Sequence, residues 1–192
     1  MKVKSSFALL ILMFAFIFGG FIFSEQKAFA AQRRKSAVIT VYNNLSGTTY
    51  NKALDKVVQK ELQRRLEGLY IELDSEPYAA KFRGKSLSDA DLFDVVNAVK
   101  DSGADYLVYV ELLPFDKHGT NYVAHFDKKM TASVFLWLID VKQGKEFYKG
   151  SFSMASKDSS ADWYVGNKSV ALKALDGIMF KVGELISAKL PL

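Results

Sequence analysis

The only two histidines of the chain each lie two residues from an aspartate, in Asp116-Lys117-His118 and His125-Phe126-Asp127. Imidazole and carboxylate groups gathered in one cluster are suitable zinc ligands. If Gly119-Thr120-Asn121 turns the chain, two neighbouring strands would bring both imidazoles together. Asp116, His118, His125 and Asp127 are therefore the candidate ligands of a zinc-dependent extracytoplasmic hydrolase. The competing interpretation, an exposed polar loop with two ordinary histidines, is favoured because loops are polar in any case.

A second pattern, in residues 79–86 (AAKFRGKS), matches a relaxed form of the phosphate-binding loop. Such a loop needs successive backbone N–H groups that converge on a phosphate, which glycines permit. Residues 79–83 contain no glycine, and the following helix is expected to be capped by Ser88 rather than opened by Lys85 and Ser86. We therefore predict no nucleotide site and no cofactor.

Composition excludes further chemistry. The 192-residue chain contains no cysteine, which rules out disulfides, thiolate metal sites and thiol nucleophiles. No Gly-x-Ser-x-Gly pattern supports serine catalysis.

The formal net charge of +5 falls to +3 when Lys2, Lys4, Lys27 and Glu25 of the first 30 residues are left out. We predict neither a nucleic-acid partner, which would need a clustered basic face, nor an enzyme.

The amino terminus has the three-part pattern of a secretory signal peptide. A cationic start, Met1-Lys2-Val3-Lys4, precedes an apolar stretch from Phe7 to Phe23, and Ala28-Phe29-Ala30 supplies the small residues of a cleavage site. We predict cleavage after Ala30 and a protein that is soluble outside the cytoplasm. The alternative is an uncleaved segment that anchors the chain in the membrane. In either case residues 31–36 form a basic tail and residues 37–192 a single domain.

A central strand organises the predicted fold. Tyr106–Leu113 is almost uninterruptedly apolar and follows the helix stop at Gly103, as expected of a strand buried on both faces. A strand over residues 37–42, a helix over 51–67 and a short strand over 70–73 precede an irregular stretch, residues 74–87. A second helix, capped by Ser88, then leads into the central strand. Strands and helices that alternate with short connections predict a parallel sheet.

The pattern changes after Pro114. Two further strands, over residues 130–141 and 146–154, are joined by a tight turn and must be antiparallel. A last helix covers about residues 167–189. The predicted fold class is a three-layer α/β sandwich. Its mixed five-stranded sheet (β-α-β-α-β-β-β-α, strand order 2-1-3-4-5) carries helices on both faces.

Three phrases carry a resemblance to a known group: Ala37–Asn44 (AVITVYNN), Gly103–Val110 (GADYLVYV) and Leu138–Lys145 (LIDVKQGK). In this order, with similar helices between them, they resemble the envelope α/β group. That group includes the amino-terminal domain of TolB, the lipoprotein activators of penicillin-binding proteins and the periplasmic domain of the curli secretion channel. The chain differs from the lipoprotein members in lacking a lipid-bearing cysteine. The resemblance implies a non-catalytic domain that acts through contacts with envelope proteins.

The contact surface expected from fold logic is the carboxyl edge of the parallel strands, where ligands gather in open sheets. This edge is formed by residues 43–49 and the 75–87 segment. The residues proposed to meet a protein partner are Asn43, Asn44, Ser46, Tyr78 and Phe82.

Overall fold

The structure is a computed structural model that describes residues 35–122, 125–160 and 166–191, without the side chains of residues 118–127, 159 and 160. The chain divides into two units, Met1–Arg34 and Lys35–Leu192, and every described residue belongs to the second unit. No helix among the described residues is long and apolar enough to cross a membrane.

Strands and helices alternate in the first part of the described chain and strands dominate the second. In chain order the elements are β1 (Ala37–Asn44), α1 (Asn51–Leu66), β2 (Ile71–Glu72), α2 (Glu76–Phe82), α3 (Leu92–Val99), a 3₁₀ turn (Lys100–Ser102), β3 (Tyr106–Leu112), β4 (Asp116–Tyr122), β5 (His125–Asp140), β6 (Lys145–Ser160) and α4 (Asn167–Lys189).

The six strands of the described residues form one mixed sheet. β1 pairs in parallel with β2 and with β3, and β3 pairs antiparallel with the carboxyl half of β5. β6 pairs antiparallel with β5 along nearly its whole length. The amino half of β5 pairs on its other side with β4, so that β3 and β4 share one edge of the long strand. The first three strands are therefore parallel and the rest antiparallel, as predicted.

Two apolar layers lie on opposite faces of the sheet, because successive strand residues point to opposite sides. Val108 and Val110 face α1 and α4, whereas Leu107 and Tyr109 face α2 and α3. The residues of β3 from Leu107 to Leu112 are all buried. The four apolar residues of α1 at spacing four are buried as well: Leu54, Val58, Leu62 and Leu66. The α/β fold class and the helices on both faces are confirmed.

Three details differ from the sequence-based prediction. The sheet has a sixth strand, β4, and the five predicted strands keep their order as β2-β1-β3-β5-β6. Residues 76–82, expected to be irregular, form α2. The next helix begins at Leu92 rather than after Ser88, because the Asp91 side chain accepts a hydrogen bond from the Phe93 N–H (2.7 Å) and caps the helix there.

Candidate functional site at the carboxyl edge of the parallel strands

A buried acid lies at the carboxyl end of β3. Glu111 is fully buried in a strand whose other residues are mostly apolar. Its Oε1 accepts a hydrogen bond from Ser86 Oγ (2.6 Å), and its Oε2 accepts from the Leu87 N–H (3.1 Å) and from the Tyr109 hydroxyl (2.7 Å). These three donors satisfy the carboxyl group, so Glu111 ties the segment after α2 to the sheet.

Asn43 and Tyr109 extend this network towards α2. Asn43 Nδ2 donates to the carbonyl oxygens of Lys85 (2.9 Å) and Phe82 (3.3 Å). Burial of the Tyr109 ring, together with its hydrogen bond to Glu111, raises the pKa of the Tyr109 hydroxyl above its ordinary value. The hydroxyl therefore stays protonated at neutral pH and acts as a donor.

A second polar cluster holds the loop between β1 and α1. Asp55 Oδ1 accepts hydrogen bonds from Asn44 Nδ2 (2.6 Å) and the Tyr42 hydroxyl (3.1 Å). Burial and the neighbouring Asp55 carboxyl group raise the pKa of Tyr42. Asn44 Oδ1 in turn accepts from the Ser46 hydroxyl (2.6 Å), which fixes the turn after the strand.

A groove runs between α1 and α2 beside β1. One part of it has a volume of about 400 Å³ and the adjoining part about 290 Å³. The two parts share four lining residues: Tyr42, Gln59, Glu76 and Ala79. Arg83 at the second part pairs with Glu76 (Nη2–Oε1, 3.0 Å), and both side chains are exposed. The second part reaches Asn43 and Asn44 at the predicted contact edge, and the first part follows β1 back to Thr40.

The five residues proposed for partner contact have different environments. Asn43, Ser46 and Phe82 are buried, and Phe82 packs edge-on against Tyr109 at a centroid distance of 6.1 Å. Asn44 and Tyr78 are partly exposed. Phe82 is buried because it is the last residue of α2, whose apolar side packs onto the sheet. The exposed part of the predicted surface therefore consists of Asn44, Tyr78 and the groove residues beside them.

The candidate zinc ligands lie in the hairpin of β4 and β5. The side chains of His118, His125 and Asp127 lie outside those described, and Asp116 is exposed. The backbone register pairs His118 with Lys129 and Tyr122 with His125. Gly119-Thr120-Asn121 therefore continues β4 and does not form the turn on which the zinc hypothesis depended. No group of three or more possible metal ligands occurs among the described side chains.

Two residues of this region were not singled out from the sequence. Glu111 has a sequence signal, because it is the one acid in the otherwise apolar run of β3 and a buried acid requires hydrogen-bond donors. Gln59 on the groove has none, because an exposed polar helix position is ordinary on any surface.

Solved structures supply the known proteins to which this chain is similar. No protein-family profile matches the chain, and no curated protein sequence matches it. Lipoprotein GNA1162 from Neisseria meningitidis is 16% identical, with a TM-score of 0.44, over 80% of this chain and 99% of that one. The hypothetical protein CT253 from Chlamydia trachomatis is 14% identical, with a TM-score of 0.48, over 81% and 99%. The LpoB C-terminal domain from Salmonella enterica is 17% identical, with a TM-score of 0.33, over 67% and 90%.

Lipoproteins are thus among the proteins that the chain resembles, in agreement with the resemblance noted from the sequence.

Proposed function

We propose that the chain is an exported, non-catalytic protein of the cell envelope that acts by binding another envelope protein. The signal-peptide pattern of residues 1–30 and the resemblance to the envelope α/β group support export. The protein would be soluble after cleavage, with residues 37–192 as its binding domain.

One observation carries the non-catalytic part of the proposal. In open sheets the chemistry gathers at the carboxyl edge of the parallel strands. Here the buried polar groups of that edge, on Asn43, Tyr109 and Glu111, bond to one another and to the segment after α2. Polar groups that bond to other protein groups in this way stabilise the fold rather than act on a substrate. An open, polar groove beside them leaves a surface for a protein partner.

Affinity capture tests the proposal. The full chain carrying a carboxyl-terminal tag is expressed in its own host, crosslinked in intact cells, and purified from the envelope fraction for mass spectrometry. We expect one envelope protein to be enriched with it reproducibly and in near-equal amount. A tagged, exported protein of unrelated fold is the control. Recovery of a small molecule or a metal in equal amount, with no enriched protein, would contradict the proposal.

A further inference from the structure

The edge of β1 opposite β3 is paired over only part of its length. β2 has two residues, which pair with Ala37 and Val38, and the last hydrogen bond on this side runs from the Leu73 N–H to the Val38 carbonyl (2.9 Å). On the other side, β3 accompanies β1 as far as Asn44. From Thr40 onward, the edge of β1 opposite β3 therefore pairs with no strand among the described residues.

The alternation of backbone groups identifies what this open edge offers. Bonds to β3 and its flank use the odd-numbered residues Ala37 and Leu45, whereas the β2 side uses Ser36 and Val38. By the same alternation the N–H and C=O groups of Thr40 and Tyr42 point to the open side. Both residues line the groove between α1 and α2. Unpaired strand edges of this kind are templates for a further strand.

The groove also selects by charge. Glu72 and Glu76 line its larger part, and Asp55 lines the adjoining part. Arg83 is the one basic residue among the lining residues, and its exposed pair with Glu76 offsets one of these three charges. Three acids and one base leave the groove with a net charge of −2. The Thr40 hydroxyl beside the edge is buried and has no hydrogen-bond partner among the described residues. A ligand for this groove should therefore be cationic and should supply hydrogen bonds.

We propose that an extended, basic segment of the protein partner adds as a strand to the Thr40–Tyr42 edge of β1, with its Lys or Arg side chains against Glu72 and Glu76. Main-chain bonds to the edge would supply affinity, and the carboxylates would supply specificity. The inference rests on the proposed function, since it assigns the surface and the chemistry of that partner.

Model peptides test the chemistry directly. The full chain is titrated with an alternating Lys/Val nonapeptide, an alternating Glu/Val nonapeptide and a helix-forming Lys/Ala peptide with the same net charge as the first. We expect the Lys/Val peptide to bind at least about tenfold more tightly than the other two. It should also slow hydrogen exchange at the Thr40 and Tyr42 amides. Equal binding of all three peptides, or unchanged exchange at these amides, would overturn the inference.

Matched variants test the site. Glu72→Lys with Glu76→Lys reverses the groove charge, and Glu67→Lys with Glu184→Lys makes the same change at exposed positions away from it. Thr40→Pro removes a donor from the open edge and leaves the bonds to β3, a place where sheets tolerate proline. Ala79→Trp fills the groove without changing the backbone of β1, so it retains the test if Thr40→Pro unfolds.

The groove variants should no longer bind the Lys/Val peptide or the captured envelope protein. The control variant, Glu67→Lys with Glu184→Lys, should bind both. An envelope partner captured equally by the wild type and by folded groove variants would overturn this inference while leaving the proposed function intact.

Discussion

Glu111 shows at the scale of one residue how a polar group can hold a loop onto an apolar sheet. We expect Glu111→Ala to lower the free energy of unfolding by about 3 kcal/mol, because the Leu87 N–H and the Tyr109 hydroxyl lose their acceptor inside the protein. Urea unfolding measures the change. Tyr109→Phe, which removes a single donor, should cost only about 1 kcal/mol. A Glu111→Ala protein as stable as the wild type would contradict this account.

Glu61 gives a pH dependence with a defined sign. Partial burial alone would raise the pKa of Glu61, but hydrogen bonds from Arg64 (2.6 Å) and Arg65 (2.8 Å) outweigh it and lower the pKa in the folded state. The stabilisation is therefore complete above the unfolded-state pKa of about 4.3 and is lost as the pH falls through the lower folded-state pKa.

We expect Glu61→Gln to be less stable than the wild type by on the order of 1 kcal/mol at neutral pH. The two proteins should converge in stability at low pH, where Glu61 is protonated in both states. Thermal unfolding between acidic and neutral pH measures the difference. Glu67→Gln, at an exposed position just after α1, is the control and should show no such convergence. A difference that persists unchanged in acid would exclude this ion pair as its source.

At the scale of elements, the position of β3 between two strands and under two helical layers predicts its dynamics. Its amides pair with β1 and β5, whereas β2 is short, exposed and at the sheet edge. We expect amide hydrogen exchange from Tyr106 to Leu112 to be at least about a hundredfold slower than at Ile71 and Glu72. Mass spectrometry with peptide-level resolution measures this. Equal exchange rates in the two segments would contradict the central placement of β3.

The elements that could be predicted are those whose burial dictates their composition. β3 and the carboxyl half of β5 are apolar on both faces, and α1 and α4 each carry one apolar stripe. β4 could not be predicted, because its polar sequence has no apolar period and its strand form depends on pairing with β5. α2 is seven residues long and contains Pro77, which indicates a turn as readily as the first turn of a helix.

The prediction of the site depends on topology alone. The rule for open sheets names the carboxyl edge of the parallel strands, because it depends only on the order of the strands, and the use of that edge for contact stays a prediction. It could not say which side chains are exposed there. Phe82 is a predicted contact residue because its segment is expected from the sequence to be irregular. As the last residue of α2, it instead packs into the core. The open edge of β1 exists because β2 ends after two residues. No periodic pattern in the sequence predicts that short length.

At the scale of the whole molecule, the amino terminus can be tested separately from the fold. We expect the protein recovered from outside the cytoplasm to begin at Ala31, because Ala28 and Ala30 supply the small residues that signal peptidase requires. Intact-mass measurement and amino-terminal sequencing check this. Ala30→Leu should leave the segment attached and the protein in the membrane fraction. A wild-type protein that retains Met1 would instead support the anchored alternative.

The short length of β2 has a consequence for how the sequence can change. Asp74 accepts a hydrogen bond from the Glu76 N–H (3.0 Å), and Pro77 in the first turn of α2 cannot donate to a ladder. Together they turn the chain away from the sheet immediately after β2. If β-branched residues replaced both, residues 73–77 could run on beside Thr40 and Tyr42. The protein would then cover its own open edge of β1, so that two substitutions would produce a self-inhibited form.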